Sequence, residues 1–333
     1  MRQAQAFWVT EPGRGEIRPV SLRSPARDEV LVRTTYSAIS RGTELLVFAG
    51  RVPPEQYQAM RAPFQEGDFP GPVKYGYLSV GVVEAGAAAL LGRTVFCLYP
   101  HQSGYVVPAA AVLPVPDGVP ARRAVLAGTV ETAVNALWDA APRLGDRACV
   151  VGAGMVGCCV ARLLARIPGT RVTLVDVNPA RAPVADALGV AFAHPDEVGG
   201  EHEIVVHASA TAAGLRRCLD LVAPGGEVLE LSWYGAGEVS LPLGGAFHSR
   251  RLGIRASQVG TVAAARRDTR SSTDRLALAL DLLADCAFDC LLDGASEFAD
   301  LPAVMTALGQ TSGLCHLIRY DDTHQKGLSR CSA

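Results

Sequence analysis

Residues 152–157 read GAGMVG, so that three glycines lie two and three residues apart. A glycine at position 152 permits a tight turn, one at 154 lets a phosphate approach the backbone, and one at 157 lets a helix pack closely on a strand. Asp176 follows Gly157 by 176 − 157 = 19 residues, close to the roughly 20 that separate such a turn from a carboxylate that binds a ribose hydroxyl. This pattern is typical of a site that binds the pyrophosphate and ribose of a dinucleotide.

The sequence on either side of this turn predicts the two strands and the helix that would hold it in place. An apolar run from Ala148 to Val151 predicts a buried strand, and the apolar stretch from the turn to Ile167 predicts a helix. A second apolar run, from Arg171 to Val175, predicts the next strand directly before the carboxylate. A glycine turn in an ordinary α/β protein is the alternative, but the complete order of strand, turn, helix, strand and acid favours the dinucleotide site.

The carboxylate also bears on which dinucleotide binds. Asp176 would repel the 2′-phosphate of NADP, so NAD is the expected cofactor; Arg181 could reach a 2′-phosphate and keeps NADP as the less favoured alternative. Further cofactor contacts are expected from the turn and from the loops after the predicted strands, at Met155, Val156, Asn178, Ser209 and Ser232.

Composition excludes several classes of protein. The 333 residues are 49% hydrophobic and 19% charged with a net charge of −2, which suits two domains with large cores and offers no electrostatic case for binding nucleic acid or an anionic membrane. No apolar run reaches the ~18 residues of a membrane span, and the N-terminal stretch lacks the form of a signal peptide, so a cytoplasmic protein is expected. The nine cysteines include no C-x-x-C pair, so neither a structural zinc site nor a disulfide framework is expected.

Three stretches of different pattern define the predicted domains. Residues 1–116 hold short runs of β-formers between turn signals, which predicts an antiparallel, partly barrel-like domain; within it, residues 51–72 carry five prolines and predict a long functional loop. Residues 117–260 alternate helical and strand patterns, which predicts a doubly wound parallel sheet and an α/β fold class. Residues 261–333 begin with a basic connector, continue with two helices and a strand, and end in a loose tail at 322–333.

Four sequence segments resemble those of a known family. In chain order, PARDEVLVRTTYSAISRGTE, VKYGYLSVGVVEAG, GDRACVVGAGMVG and VAPGGEVLEL resemble the medium-chain dehydrogenase/reductase superfamily, the relatives of zinc alcohol dehydrogenase, over nearly the whole chain. The RGTE and KYGY words most resemble the subgroup related to bacteriochlorophyllide dehydrogenase. The resemblance implies a GroES-like catalytic domain completed by the C-terminal return, a Rossmann domain, and a small-molecule substrate in the cleft between them. It also implies a homodimer joined through the last strand of the nucleotide domain, around residues 255–259.

The chain departs from that family at the catalytic zinc. Members with zinc hold it with a Cys in a CGTD-like word, a His in a GHE word and a later Cys or Glu. Here Arg41 stands at the first position, Tyr77 at the second, and the third falls near Gly128, where there is no cysteine. Arginine cannot deprotonate to become a ligand, so we expect no zinc. A zinc enzyme with relocated ligands is the alternative, with candidate donors Glu44, Cys97, His101 and Glu131.

Without zinc, side chains must stabilise charge on the substrate oxygen and move a proton. Thr43 falls where relatives place a hydroxyl proton relay, and Tyr77 could offer its phenol. Arg41 would present a fixed cation, and Glu44 could act as a base. The alternatives are that Arg41 and Glu44 form a structural ion pair and that Tyr77 only fills the vacated zinc site.

Three more residues are candidates for the substrate pocket. Tyr99 and His101 fall in the word VFCLYPHQ, where relatives line that pocket, and Trp233 follows a predicted strand near the expected nicotinamide end. The combined prediction is a zinc-independent NAD(H)-dependent oxidoreductase acting on a hydroxyl/carbonyl pair or an activated double bond. A nucleotide-binding protein without turnover is the alternative of another class.

Overall fold

Residues 2–320 are the part of the chain that the computed structural model describes. The tail predicted at 322–333 lies outside these residues. The strands are β1 (Arg2–Glu11), β2 (Arg14–Leu22), β3 (Glu29–Ile39), β4 (Glu66–Gly67), β5 (Val73–Lys74), β6 (Ser79–Gly86), β7 (Thr94–Cys97), β8 (Gly104–Pro108), β9 (Val112–Pro114), β10 (Arg147–Val151), β11 (Arg171–Val175), β12 (Ala191–Ala193), β13 (Ile204–His207), β14 (Glu227–Glu230), β15 (Gly253–Ala256), β16 (Leu292–Glu297) and β17 (Cys315–Arg319). The helices are α1 (Arg41–Phe48), α2 (Ala121–Ala124), α3 (Ala127–Ala140), α4 (Met155–Ala165), α5 (Ala182–Ala187), α6 (Ala212–Leu221), α7 (Ser272–Leu282) and α8 (Leu301–Leu308).

The chain divides into two compact units. Unit 1 contains the residues up to Val125 together with those from Asp293 onward, and unit 2 is Leu126–Leu292. The predicted α/β class, with an antiparallel β-rich part and a parallel doubly wound sheet, is confirmed. No helix within residues 2–320 is long and apolar enough to cross a membrane.

Unit 1 is built on two antiparallel sheets. One has the strand order β2-β1-β5-β4, and the other runs β16-β17-β3-β6-β7-β9 with β8 also paired to β3. Strand β17, which the pattern HLIRY predicts at 316–320, pairs antiparallel with β3, so the C-terminal return completes this sheet. The proline-rich segment at 51–72 contains one 3₁₀ turn, Pro54–Gln56, and the two-residue β4.

Unit 2 is built on one parallel sheet with the strand order β12-β11-β10-β13-β14-β15. Successive strands from β10 to β12 extend the sheet in one direction and those from β13 to β15 in the other. The chain therefore reverses between β10 and β13, which is the point at which such sheets bind ligands outside the carboxyl ends of their strands. Strands β10 and β11 lie where the apolar runs predict them, and all of residues 148–151 are buried.

The end of unit 2 differs from the predicted boundary at residue 260. Helix α7 packs on α3 and belongs to unit 2, not to the return. The reason is Arg275 of α7, which is 2% exposed and donates hydrogen bonds to Glu131 (3.0 Å) and Asn135 (2.6 Å) of α3. Burial raises the pKa of Glu131 and Arg275 opposes that shift, so the carboxylate depends on this one helix for its charge partner.

Candidate functional site

The glycine turn after β10 contains glycines of two kinds. Gly152 has φ +111°, and a Cβ there would lie 2.5 Å from the backbone nitrogen of Ser209. A Cβ at Gly157 would lie 1.9 Å from the carbonyl oxygen of Gly152. Packing of the protein on itself therefore requires these two glycines. Gly154 instead has extended backbone angles, and its Cβ would meet nothing within 4 Å.

The open space at Gly154 lies at the N-terminus of α4. Gly154 is the N-cap of this helix, and Met155 and Val156 are its partly exposed first residues. The first N–H groups of a helix have no partner within the helix and carry partial positive charge, so the end of α4 can bind an anion. Because none of residues 2–320 fills that space, a phosphate can reach the backbone there.

Asp176 lies at the carboxyl end of β11, beside this turn. Its Oδ2 accepts a hydrogen bond from the backbone of Ala153 (2.7 Å) and its Oδ1 accepts one from that of Asn178 (2.8 Å). The Asn178 side chain accepts from the backbone of Ala180 (3.0 Å) and so caps the short turn that contains Arg181. Asp176 is partly exposed, and each carboxylate oxygen keeps a second lone pair for a ribose hydroxyl.

These residues fit a nicotinamide dinucleotide. The pyrophosphate would be held by the backbone at Gly154 and the first turn of α4, and the adenosine ribose by Asp176. The predicted cofactor residues from Gly152 to Gly157 and from Asp176 to Arg181 lie at the carboxyl ends of the adjacent strands β10 and β11.

A polar cluster that the sequence did not indicate lies at the carboxyl ends of the next two strands. His207 ends β13 and Glu230 ends β14, and the two are partners in the parallel register. The imidazole is fully buried, and its Nδ1 lies 2.8 Å and 2.9 Å from the two carboxylate oxygens of Glu230. Burial alone would raise the pKa of Glu230, but the His207 imidazole and hydrogen bonds from Ser232 lower it.

Hydroxyl groups surround this pair. The predicted cofactor residue Ser209 places its Oγ 2.7 Å from Nε2 of His207 and 2.9 Å from Oγ1 of Thr211. Ser232 donates its backbone N–H to Glu230 (2.7 Å), and its Oγ accepts from the backbone of Ala210 (3.0 Å). Tyr234 donates its phenol proton to Glu230 at 3.0 Å and stacks on the imidazole. Trp233, a predicted pocket residue, is partly exposed on the same loop.

In unit 1, Arg41 lies at the start of α1 and contacts the end of α8. Its guanidinium donates to the carbonyl oxygen of Leu308 (2.8 Å), to the carbonyl oxygen of Thr311, and to the Thr311 hydroxyl (3.2 Å). These carbonyls belong to the last turn of α8 and the residues just after it, where a cation is favourable because of the partial negative charge of a helix C-terminus.

Glu44 is buried with a histidine as its partner. Its Oε2 lies 2.8 Å from Nε2 of His101, and its Oε1 accepts from the backbone N–H of Ser40 (2.8 Å). Nδ1 of His101 lies 2.7 Å from Oγ of Ser37, which is 2.9 Å from the Tyr320 hydroxyl. Glu44 and Arg41 therefore make different hydrogen bonds, and His101 belongs to a buried polar chain.

Tyr77 is part of a group of three hydroxyls around the start of α1. Its phenol donates to Oγ of Ser40 (2.7 Å) and is also hydrogen-bonded to Thr43. Burial and the Glu44 carboxylate raise the pKa of Tyr77 to about 12. At neutral pH this phenol is protonated, so it can donate a hydrogen bond but cannot act as a base.

Tyr99 is buried in an aromatic cluster of unit 1. Its ring stacks on that of Tyr105 with centroids 3.8 Å apart and contacts the ring of Phe64. The buried ammonium of Lys74 lies 5.2 Å from the Tyr99 ring centroid and donates to Gln102 at 2.8 Å. Burial lowers the pKa of this lysine, and its hydrogen-bond partner Glu66 opposes that shift.

The donors considered for a relocated zinc do not form a cluster. Within residues 2–320, no group of three or more histidine, cysteine, aspartate or glutamate side chains is placed to hold a metal ion. Glu44 and His101 hydrogen-bond to each other, whereas Glu131 of unit 2 pairs with Arg275. The Cys97 thiol donates to the carbonyl of Ala111, and burial raises its pKa to about 12. Within the described residues, these four donors therefore form no group that could hold a relocated zinc ion.

Comparison with known proteins adds the fold to this description. No protein-family model matches the chain. A short chain alcohol dehydrogenase from Escherichia coli CFT073, solved with the cofactor NADH, is 16% identical with a TM-score of 0.76 over 95% of this chain and 99% of its own. L-Idonate 5-dehydrogenase from E. coli K-12 is 14% identical with a TM-score of 0.79 over 96% and 98%. 2R,3R-Butanediol dehydrogenase from Bacillus subtilis is 16% identical with a TM-score of 0.75 over 96% and 100%. At these identities the likeness shows a shared fold, which is the one that the family resemblance implies.

Proposed function

We propose that this protein is an NAD(H)-dependent oxidoreductase that acts on a small-molecule alcohol or carbonyl, or on an activated double bond, without a catalytic zinc. The observation that carries the proposal is Gly154. It is the one glycine of the turn that the protein's own packing does not require, and it leaves open the space in which a pyrophosphate would contact the start of α4. A bound nicotinamide dinucleotide supplies a ring carbon that accepts or donates a hydride.

NAD is the cofactor that unit 2 favours. Asp176 holds two backbone N–H groups and keeps lone pairs for the ribose hydroxyls. A 2′-phosphate would bring further negative charge to this carboxylate, and Arg181 would have to compensate for it.

A group of hydroxyl side chains in unit 1 supports chemistry without zinc. The three hydroxyls of Ser40, Thr43 and Tyr77 offer protons to a substrate oxygen, and the pKa of Tyr77 keeps its phenol a donor through neutral pH. Arg41 is held on α8, which favours a structural role over that of a cation for the substrate.

A nucleotide-binding protein without turnover is the second candidate. The internal partners of Arg41 and of Glu44 favour it, because two of the charged groups expected to do chemistry are already engaged. The homodimer paired through β15 stays a prediction; β15 is the edge strand of its sheet, and its Ile254 is 37% exposed. The bacteriochlorophyllide dehydrogenase-like subgroup and the cytoplasmic location stay predictions as well.

A fluorescence titration of metal-analysed protein with NADH and, separately, with NADPH tests the proposal. We expect NADH to bind in the micromolar range, at least about tenfold more tightly than NADPH, a difference of roughly 1.4 kcal/mol, and we expect less than about one tenth of a zinc ion per chain. Absence of NADH binding would contradict the cofactor assignment, and stoichiometric zinc would contradict the zinc-free chemistry. In a screen of alcohols and aldehydes, turnover would separate the enzyme from the second candidate.

A further inference from the structure

The hydrogen-bonded pair of His207 and Glu230 lies on the same edge of the sheet as the glycine turn, at the carboxyl ends of β13 and β14. A backbone contact links the two places: a Cβ at Gly152 would come within 2.5 Å of the nitrogen of Ser209. The loop after β13 therefore lies against the glycine turn, on the side away from Asp176. With parallel strands about 4.8 Å apart, β13 and β14 continue the edge by about two strand spacings.

A dinucleotide bound as proposed has to extend along this edge. Its adenosine ribose would lie at the end of β11 and its pyrophosphate at the end of β10, so its nicotinamide half would continue past the reversal point toward β13 and β14. Ser209 is partly exposed there and joins the buried imidazole of His207 to the surface of the edge. This step rests on the proposed function.

The hydrogen bonds of the pair define which nitrogen carries the proton. Nδ1 of His207 faces both carboxylate oxygens of Glu230, so it donates to them. In the neutral imidazole, Nε2 is then the acceptor, and the Ser209 hydroxyl donates to it. Thr211 can donate in turn to Ser209. The imidazole can therefore take a proton at Nε2 through the serine hydroxyl without any change of position.

We propose that His207 is the proton acceptor of this site, with Glu230 as its counter-charge and the Ser209 hydroxyl as its contact to the reacting end of the cofactor. When an alcohol is oxidised, the substrate loses a hydride to the oxidised cofactor and a proton to the protein. Ser209 accepts that proton at Oγ while its own hydroxyl proton moves to Nε2 of His207. Reduction of a carbonyl reverses both transfers, and no further reactant is needed.

Charge balance supports this arrangement. Oxidised nicotinamide carries a positive charge that the reduced ring lacks, so it disfavours a proton on a neighbouring imidazole. When the ring is reduced it loses its positive charge, and His207 gains a positive charge with the proton that it accepts. The total charge beside Glu230 therefore stays the same. The buried pair would then bind one proton more in the NADH complex than in the NAD⁺ complex.

The other ionisable groups around the imidazole do not compete in the neutral range. Tyr234 donates to Glu230, and burial raises its pKa; the Cys218 thiol of α6 also lies near Glu230, and burial raises its pKa well above the usual value. Arg217 of α6 interacts with that thiol electrostatically and stays charged at all relevant pH values. Among the described residues around the imidazole, the hydrogen-bonded pair of His207 and Glu230 is therefore the one that the proposal concerns.

Proton release on binding tests the proposal without a substrate. Calorimetric titrations of the full chain with NAD⁺ and with NADH, each in phosphate and in Tris between pH 6 and 8, measure the protons released. We expect NAD⁺ binding to release about 0.3 to 1 proton more than NADH binding, with NAD⁺ affinity rising as pH rises. His207→Gln should abolish the difference. His202→Gln is the matched control, because His202 is also buried but lies before the start of β13, at its opposite end.

Glu230→Gln is a second variant that tests the proposal if the His207→Gln protein does not fold. It keeps the side-chain volume and removes the charge that favours the imidazolium, so the NAD⁺-linked release should fall by more than about half. Equal proton release for NAD⁺ and NADH in the wild type would overturn the proposal while leaving the cofactor assignment intact. An NAD⁺-linked release that survives both substitutions would overturn it too. Failure of either dinucleotide to bind would instead contradict the proposed function, and this inference with it.

Discussion

One glycine of the turn after β10 differs from the other two in what surrounds its Cβ position. Gly152 and Gly157 are required by backbone contacts of 2.5 Å and 1.9 Å that a Cβ would make. At Gly154 the backbone angles suit any residue and the space beyond is open. At the start of α4, such a glycine suits a phosphate that approaches the backbone.

This explanation predicts the effect of Gly154→Ser. Serine is a good N-cap, so the thermal midpoint of unfolding should stay within about 2 °C of the wild type. The added side chain would occupy the space proposed for the pyrophosphate, and NADH affinity should fall at least about tenfold, or roughly 1.4 kcal/mol. Fluorescence titration and a thermal melt on the same sample measure both.

Gly199→Ser is the control for that substitution. Gly199 is an exposed glycine of unit 2 with ordinary backbone angles and no atom within 4 Å of its Cβ position. Its substitution should change neither stability nor NADH binding. Unchanged NADH affinity in Gly154→Ser would show that the open space is not the phosphate site.

At the scale of elements, the role of Arg41 depends on where α1 and α8 come together. The guanidinium donates to the carbonyl of Leu308, the last residue of α8, and to that of Thr311, three residues further on. Arg41, at the position where the family resemblance would place a cysteine, thus connects the first part of the chain to the C-terminal return. This favours a structural role for Arg41.

Arg41→Ala should therefore destabilise unit 1. Loss of charged hydrogen bonds to carbonyls at a helix end should lower the free energy of unfolding by about 1–3 kcal/mol. Hydrogen exchange of peptides covering residues 301–314 should become faster. Arg14→Ala, which removes an ion pair with Glu11 between side chains that are both more than 60% exposed, should cost less than about 1 kcal/mol. If both variants were equally stable, the assigned role of Arg41 would be wrong.

The same elements show what the sequence could and could not predict. The dinucleotide turn was predictable because its strand, helix and acid lie within about thirty consecutive residues. The partners of Arg41 lie 267 and 270 residues away, and no local pattern indicates such a distance. His207 and Glu230 each end a short apolar run, IVVH and EVLE, so a polar residue at two successive strand ends was a signal. Only the register of the parallel sheet shows that the two side chains meet.

At the scale of the whole molecule, the chain consists of two units that each have their own sheets. In chain order, the β-rich unit comes first, the unit with the parallel sheet follows, and the chain then returns to the β-rich unit, where it forms the last described strand, β17. Unit 2 extends to Leu292, whereas the sequence predicts a boundary at residue 260 because the connector and α7 look separate from the nucleotide fold. An ion pair connects α7 to this unit, since the buried carboxylate of Glu131 in α3 has its cationic partner, Arg275, in α7.

The two possible boundaries predict different behaviour for two fragments. Residues 126–292 should fold with a cooperative thermal transition by circular dichroism. Residues 126–260 should not, because α3 would lose the whole of α7, which packs on it, and Glu131 and Asn135 would lose Arg275.

Arg275→Met in the longer fragment removes the ion pair without shortening the chain, so it measures the effect of the pair alone on stability. Methionine keeps apolar volume against α3 but leaves the Glu131 carboxylate without its cation, so the thermal midpoint should fall by about 10 °C or more. An equal midpoint for the variant and its parent would show that packing of α7, rather than the pair, holds this helix. A cooperative transition in residues 126–260 at the same temperature would return the boundary to residue 260, since the shorter chain would then contain everything that the parallel sheet needs.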